Sequence, residues 1–221
     1  MKNHFTSALH VLVVVVLVVA RLTACGGGNS YEERRRMGKV ERARLDSINR
    51  AAFKVAVLPT LDCLPLFVAR EAGIFDTLGV SVRLRMFRAQ MDCDTAVIGG
   101  SVEGTVTDLV RAERLQRQGI SLRYPIATDA YWQLITNRLA RIKELKQLSD
   151  KMIAITRYSA TEALATMAID SVKPKYDVYR VQINDFDVRL HMLLNNEMDA
   201  MLLPEPQATT ARTMGHPVLM D

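Results

Sequence analysis

Reactive and ring-bearing side chains are scarce in this 221-residue chain, which holds 3 cysteines, 4 histidines and 1 tryptophan. His4 and His10 lie in the N-terminal segment, and His191 and His216 stand far apart with no metal-ligand spacing, so no metal centre is expected. Neither Cys63 nor Cys93 has a histidine nearby, which leaves a thiol nucleophile without a base. No internal apolar run is long enough to span a bilayer. Neither sign of charge dominates, with 29 Lys and Arg against 24 Asp and Glu. The net charge of +5 falls to +3 without Lys2 and Arg21, and much of the excess is the local run Arg34, Arg35, Arg36, Lys39, Arg42 and Arg44. With the excess confined to one segment beside a predicted anchor, the basic balance is weak evidence for nucleic acid, and no nucleic-acid partner is expected.

What is present begins with an export signal. Lys2 supplies a positive start, and Val11 to Ala20 is an apolar region too short for a transmembrane helix. Leu22-Thr23-Ala24-Cys25 resembles the bacterial lipoprotein box, which implies that residues 1–25 are a lipoprotein signal and that Cys25 carries the lipid through a thioether. Residues 26–52 follow as a charged linker, opening with Gly26-Gly27-Gly28 and continuing without an apolar stripe, as a tether would.

The rest is organised around FKVAVLPTLDCLPLFVAREAGIFDTLGV, residues 53–80. The β-branched apolar run Phe53 to Leu58 predicts a buried strand ended by Pro59, then a polar loop, Thr60 to Cys63. Pro65 suits the first turn of a helix over Leu66 to Ala72, Gly73 stops it, and a second strand is predicted over Val80 to Met86. The predicted first lobe, residues 53–130, continues with a helix Ala89 to Ile98, a strand Gly104 to Thr107, a helix Asp108 to Gln118 and a strand Ile120 to Thr128. Residues 131–221 repeat the plan as a second α/β lobe. Its predicted strands are Trp132 to Thr136, Met152 to Thr156, Val178 to Ile183 and Met198 to Leu203, with Pro217 to Met220 closing the lobe. Its predicted helices are Arg141 to Leu148, Ala160 to Asp170 and Asp187 to Leu194.

Several of these strings resemble the periplasmic solute-binding proteins of ABC importers, in the branch that binds nitrate, sulfonates, taurine and thiamine-pyrimidine precursors. LPLFVAREAGIFDTLGVSVRL resembles the opening of that family. IKELKQLSDKMIAITRYSATEALATMAID resembles its helix, turn, strand and polar loop, with Ser149-Asp150-Lys151 where the family's turn has a glycine. LLNNEMDAMLLPEPQATTA resembles its acid-bearing strand and the Glu-Pro that follows. The resemblance implies a two-lobed, type II periplasmic-binding-protein-like α/β fold. In that family the chain returns from the second lobe to complete the first. Here the sequence ends at Asp221, so the first lobe is expected to lack its C-terminal return segment and to expose apolar surface and strand edge.

In open α/β sheets ligands bind at the carboxyl ends of the strands, which points to the loop Pro59 to Cys63 after the first strand. The resemblance adds the second-lobe loop Tyr158 to Thr161, since the family's corresponding loop touches ligand. Thr60, Leu61, Asp62, Tyr158, Ser159 and Thr161 are therefore candidate ligand contacts. Asp92, Asp129, Asn184 and Glu205 join them near other predicted strand ends and helix starts. Ser159-Ala160-Thr161-Glu162 also reads as a capping box. The acids Asp62, Asp92, Asp94, Asp129, Asp185 and Glu205, with Glu162 in the first turn of its helix, favour a neutral or cationic solute over an anion. Asp185 and Asp187 also read as helix caps. No cofactor and no catalytic residue is expected. The implied function is a lipid-anchored solute-binding component that works with an ABC permease at the periplasmic face of a bacterial membrane. The alternative is an exported enzyme on the same fold, acting on a thiamine-pyrimidine-like or small organic-acid substrate. Tyr131 and Trp132 fall at the crossover between lobes, where packing is the expected role. Whether Cys63 and Cys93 form a disulfide stays open.

Overall fold

The computed structural model describes residues 38–44, 47, 50 and 51–221. The signal, Cys25 and the glycines after it lie outside the described residues. The chain divides into two units, residues 1–51 and 52–221. In the first, the described residues are helical, with Lys39 to Arg44 exposed and Arg44 paired to Glu41 at 3.9 Å. The described charged residues, without an apolar stripe, thus lie on a solvated helix. Among the described residues no helix is long and apolar enough to cross a membrane.

The second unit contains both lobes. In the first, β1 (Phe53–Val57) lies between β2 (Val82–Met86) and β3 (Gly104–Thr105), parallel to both. Flanked on both sides, β1 buries Ala56 and Val57 completely. A Cβ on Gly104 would come within 3.2 Å of the Phe53 ring, so glycine is what lets β3 approach β1. After β1 a 3₁₀ turn, Leu61–Cys63, leads into α1 (Leu64–Glu71), with Pro65 in its first turn. Gly73, at φ +65°, then redirects the chain into the short helix α2 (Ile74–Thr77). The lobe continues through α3 (Gln90–Ile98) and α4 (Leu109–Arg117).

The fourth strand predicted for this lobe, Ile120 to Thr128, does not form, and residues 120–132 carry no regular structure. Pro125 removes a ladder donor, and residues 123–131 are exposed, so no alternating face is buried to hold a strand. The lobe's sheet therefore has three strands. Val68, Leu78, Val80 and Met86 present large apolar side chains to solvent in this lobe.

The second lobe holds five strands in the order β6-β5-β7-β4-β8. They are β4 (Gln133–Thr136), β5 (Met152–Ile155), β6 (Tyr179–Gln182), β7 (Ala200–Leu203) and β8 (Val218–Met220). β5 runs parallel to β6 and β7, and β4 runs antiparallel to β7 and β8. The local order β6-β5-β7 repeats β2-β1-β3, so the internal repeat read from the sequence is real. Period-two alternation divides the core between the two faces of this sheet. Leu134, Ile153, Ile155 and Leu202 pack with Ala165 and Ile169 of α5 (Ala160–Val172). On the other face, Ile135, Ala154, Met201 and Leu203 pack with Leu190 and Leu193 of α6 (Phe186–Leu194) and with Ala208 and Ala211 of α7 (Gln207–Thr213).

Two further expectations are corrected. The helix predicted over Arg141 to Leu148 is only a 3₁₀ turn, Leu145–Leu148: Arg141 sits at φ +53° and Glu144 is extended at φ −145° and ψ 155°, both outside helical space. Helix α7 was not anticipated, since QATTART offers little apolar periodicity. Where the family's turn has glycine, Asp150 adopts φ +62°, a conformation that Asp and Asn tolerate better than most residues.

Candidate functional site

The lobes meet at the carboxyl ends of their parallel strands. Leu61 N–H, after β1, donates to Glu205 O, after β7, at 3.0 Å. Ala89 forms an isolated antiparallel bridge with Asp185. Phe186, the first residue of α6, is only 1% exposed because it inserts among Val57, Leu58 and Cys63 of the first lobe. There its ring meets Trp132 edge-on at 5.3 Å. Trp132 therefore packs at the crossover, as expected.

On the second-lobe side, the loop after β5 spends its polar atoms on itself. The Ser159 hydroxyl donates to Thr156 O at 2.7 Å and accepts from Thr161 N–H at 3.2 Å. The Thr161 hydroxyl accepts from Thr156 N–H at 2.9 Å. Both side chains are fully buried. The capping box is displaced by one residue: Glu162 accepts from Tyr158 N–H at 2.6 Å instead of reaching the Ser159 amide. The bond from Ser159 falls on the Thr161 amide, so Glu162 meets the next free donor outward. Tyr158 sits at φ +58° with its ring exposed beneath the Arg114 guanidinium.

On the first-lobe side stands a cluster outside the ligand contacts expected from the sequence, which reads Asp94 only as one of several acids near strand ends. Arg111 of α4 is fully buried and pairs through Nη2 with Asp94 of α3. Asp108 caps α4 by accepting from Arg111 N–H at 3.0 Å. The Ala160 amide, first in α5, also faces the Asp108 carboxylate closely enough to favour its ionised form, without completing a hydrogen bond to Oδ2. Burial raises the pKa of both acids, and the opposing pull of Arg111 and nearby amides does not cancel it. Gln90 stands one turn before Asp94 on α3, and Thr107 directly precedes Asp108. The signal available in the sequence was the i, i+3 pair Asp108/Arg111 at a helix start.

Arg189 of α6 ties together the ends of three second-lobe strands. Nε donates to Ile183 O at 2.7 Å, Nη1 to Leu202 O at 2.8 Å, and Nη2 to Thr156 Oγ1. Its partners are carbonyls and a hydroxyl, and burial pulls its pKa down to about 9.

The remaining candidates scatter. Thr60 is buried against Cys63, Leu61 exposes its side chain, and Asp62 is half-buried in the 3₁₀ turn. Asp92 and Asp129 are exposed, Asp129 within the irregular crossover, and neither joins the buried cluster. Asn184 accepts from Gln182 Nε2 at 3.1 Å. Asp185 caps α6, accepting from the Asp187 and Val188 amides, which leaves Asp187 in the first turn. Glu205 accepts from Thr209 N–H at 2.9 Å, Tyr131 OH at 3.3 Å and Arg212 at 2.9 Å. Burial alone would raise its pKa, but the bonds from Thr209 and Arg212 outweigh that and hold it below the usual value. Glu205 thus acts as a brace beside the crossover. Cys63 and Cys93 are free thiols in one apolar cluster, and burial pushes Cys93 up to about 12. A separate open depression of about 260 Å³, lined by Asn137, Met152, Glu197 and Asp199, lies at the amino ends of β5 and β7, away from this interface.

No family model matches the sequence, and no curated protein is similar to it. Solved structures are. The alkanesulfonate-binding protein SsuA of Xanthomonas axonopodis pv. citri, bound to MOPS, is 15% identical with a TM-score of 0.64, over 76% of this chain and 60% of that one. The periplasmic aliphatic sulphonate binding protein SsuA of Escherichia coli is 19% identical with a TM-score of 0.60, over 77% and 60%. The periplasmic nitrate-binding protein NrtA of Synechocystis is 13% identical with a TM-score of 0.61, over 75% and 49%. The chain thus spans three fifths or less of the length of these three proteins. At such identities the likeness shows the fold, which is that of the two-lobed periplasmic binding proteins.

Proposed function

We propose that this chain is the solute-binding component of an ABC-type importer, anchored through a lipid on Cys25 at the periplasmic face of a bacterial membrane. It captures a small organic solute between its lobes and delivers it to a permease, with no chemical step. One observation carries the reading. The carboxyl ends of the parallel strands of the two sheets oppose each other, and buried polar groups without protein partners gather on one side of the junction. The similar structures are binding proteins, which favours capture over catalysis. The two described thiols are raised by burial, away from nucleophilic use.

A neutral or cationic solute fits this junction better than an anion. A helix N-terminus attracts anions through free amides. At α5 the Thr161 amide is taken by Ser159 and the Ala160 amide faces the protein's own Asp108 carboxylate. Lobe closure would then present the loaded form to the permease.

The deciding experiment is native mass spectrometry of the protein purified from its producing cell. A small organic molecule should be retained and lost on denaturation. Absence of any retained or rebindable solute, in protein that is folded, overturns the reading.

A further inference from the structure

Resting on that reading, the inference concerns which part of a solute the junction reads. Arg111 is wholly buried, yet its Nε and Nη1 have no protein partner; only Nη2 is engaged, by Asp94. The second oxygen of each acid in the cluster, Asp94 Oδ1 and Asp108 Oδ2, is buried and unpartnered too. So are Gln90 Oε1 and Thr107 Oγ1. Protein interiors rarely leave polar atoms unmet, and these belong to one hydrogen-bonded group or to residues within one helical turn of it in the chain. An unpaired, buried guanidinium edge is an observation independent of the acids, and it calls for an acceptor beside them.

The location is equally specific. The cluster adjoins the second lobe through two contacts, the Ala160 amide toward Asp108 and Arg114 over the Tyr158 ring at 4.5 Å. Its chemistry is mixed. Two free donor positions on Arg111 share the cluster with free acceptors on Asp94 and Asp108, both of which Arg111 contacts, and Gln90 stands one turn from Asp94 on the same helix. A sulfonate or nitrate would satisfy the donors and leave the acceptors facing like charge. An ammonium group would do the reverse. We propose that Gln90, Asp94, Thr107, Asp108 and Arg111 recognise a solute edge carrying a donor next to an acceptor, either a primary amide or an amino group beside a ring nitrogen, with net charge of zero or plus one.

The test is calorimetric titration of the full chain with benzamide, 4-aminopyrimidine, methanesulfonate and nitrate. At least one of the first two should bind; which one distinguishes the amide from the amino-heterocycle. Asp108→Asn and Arg111→Gln should each weaken that binding at least tenfold. If Arg111→Gln does not fold, Asp108→Asn decides, since asparagine still caps the helix. Binding of the anions alone overturns this assignment and leaves solute capture standing. So does a co-purified solute in a chain that binds neither neutral probe, and so does neutral-probe binding indifferent to Asp108→Asn. No probe binding and no retained solute would remove the functional reading as well.

Discussion

The Arg114 guanidinium lies 4.5 Å from the centre of the Tyr158 ring, joining the helix after β3 to the loop after β5. At a partly exposed site such a contact is worth about 0.5–1 kcal/mol, so it biases lobe closure without locking it. Tyr158→Gly removes the ring and also relieves the φ of +58°, whereas Tyr158→Ala keeps the backbone strain. Both variants should populate a more open form by small-angle scattering. Only the alanine variant should also lose stability to urea.

Phe186 is the main apolar tie across the junction. Phe186→Ala should destabilise the chain by about 3–5 kcal/mol, because it leaves a cavity lined from both lobes. Trp132 is the only tryptophan in the chain and touches that ring, so its emission should report the loss directly. An unchanged urea midpoint would refute this role.

Titration should separate the acids by environment. Glu205 is held below its ordinary value of 4.5, so the stability it contributes is present above that value and is lost as pH falls through its lowered folded pKa. Asp94 and Asp108 are raised above 3.8, so their contribution is fully present below 3.8 and is lost as pH rises through their folded values. Carbon-detected carboxyl titration should give a midpoint below 4.5 for Glu205 and midpoints above 3.8 for the two aspartates.

The thiols should be inert in the folded state. A shift of Cys93 from 9.0 to about 12 means about a thousandfold less thiolate at neutral pH. Iodoacetamide should modify Cys63 and Cys93 only on unfolding. Mass analysis of the native chain should show no disulfide between them.

Cys25→Ser should abolish incorporation of labelled palmitate in the producing cell and release the protein from the membrane fraction. Label retained by the variant would contradict the anchor.

Hydrogen exchange should divide the lobes. The second lobe buries apolar side chains on both faces of a five-stranded sheet, while the first has three strands and many exposed apolar residues. Amides of β7 should be the slowest to exchange and those of β2 among the faster. Equal protection would refute the difference.

Legibility in the sequence followed the range of the interactions. Local rules found β1, β5 and β7, because apolar runs bounded by Pro59, Asp150 and Pro204 leave few alternatives. They also found the cap at Asp185, whose partners are two and three residues away. Pro125 was a local warning against a strand over Ile120 to Thr128. Loop position identified Tyr158, Ser159 and Thr161, but not that the two hydroxyls would turn inward to Thr156.

The sequence by itself determined the alternation of strands and helices, the repeat of one plan in two lobes, and the loops that end the parallel strands, since each depends on periodicity and turn chemistry within a few residues. Only the tertiary structure decided which polar groups those ends would bury. Asp92 and Asp94 are two positions apart on one helix, and nothing local says that Asp94 turns toward Arg111, 17 residues on, while Asp92 faces solvent. Likewise Phe186 is simply the first residue of a helix until the two lobes meet and enclose it in the first lobe's core. Burial, and with it the cost of leaving a charge or hydrogen-bonding group unpaired, arises only when distant segments pack together.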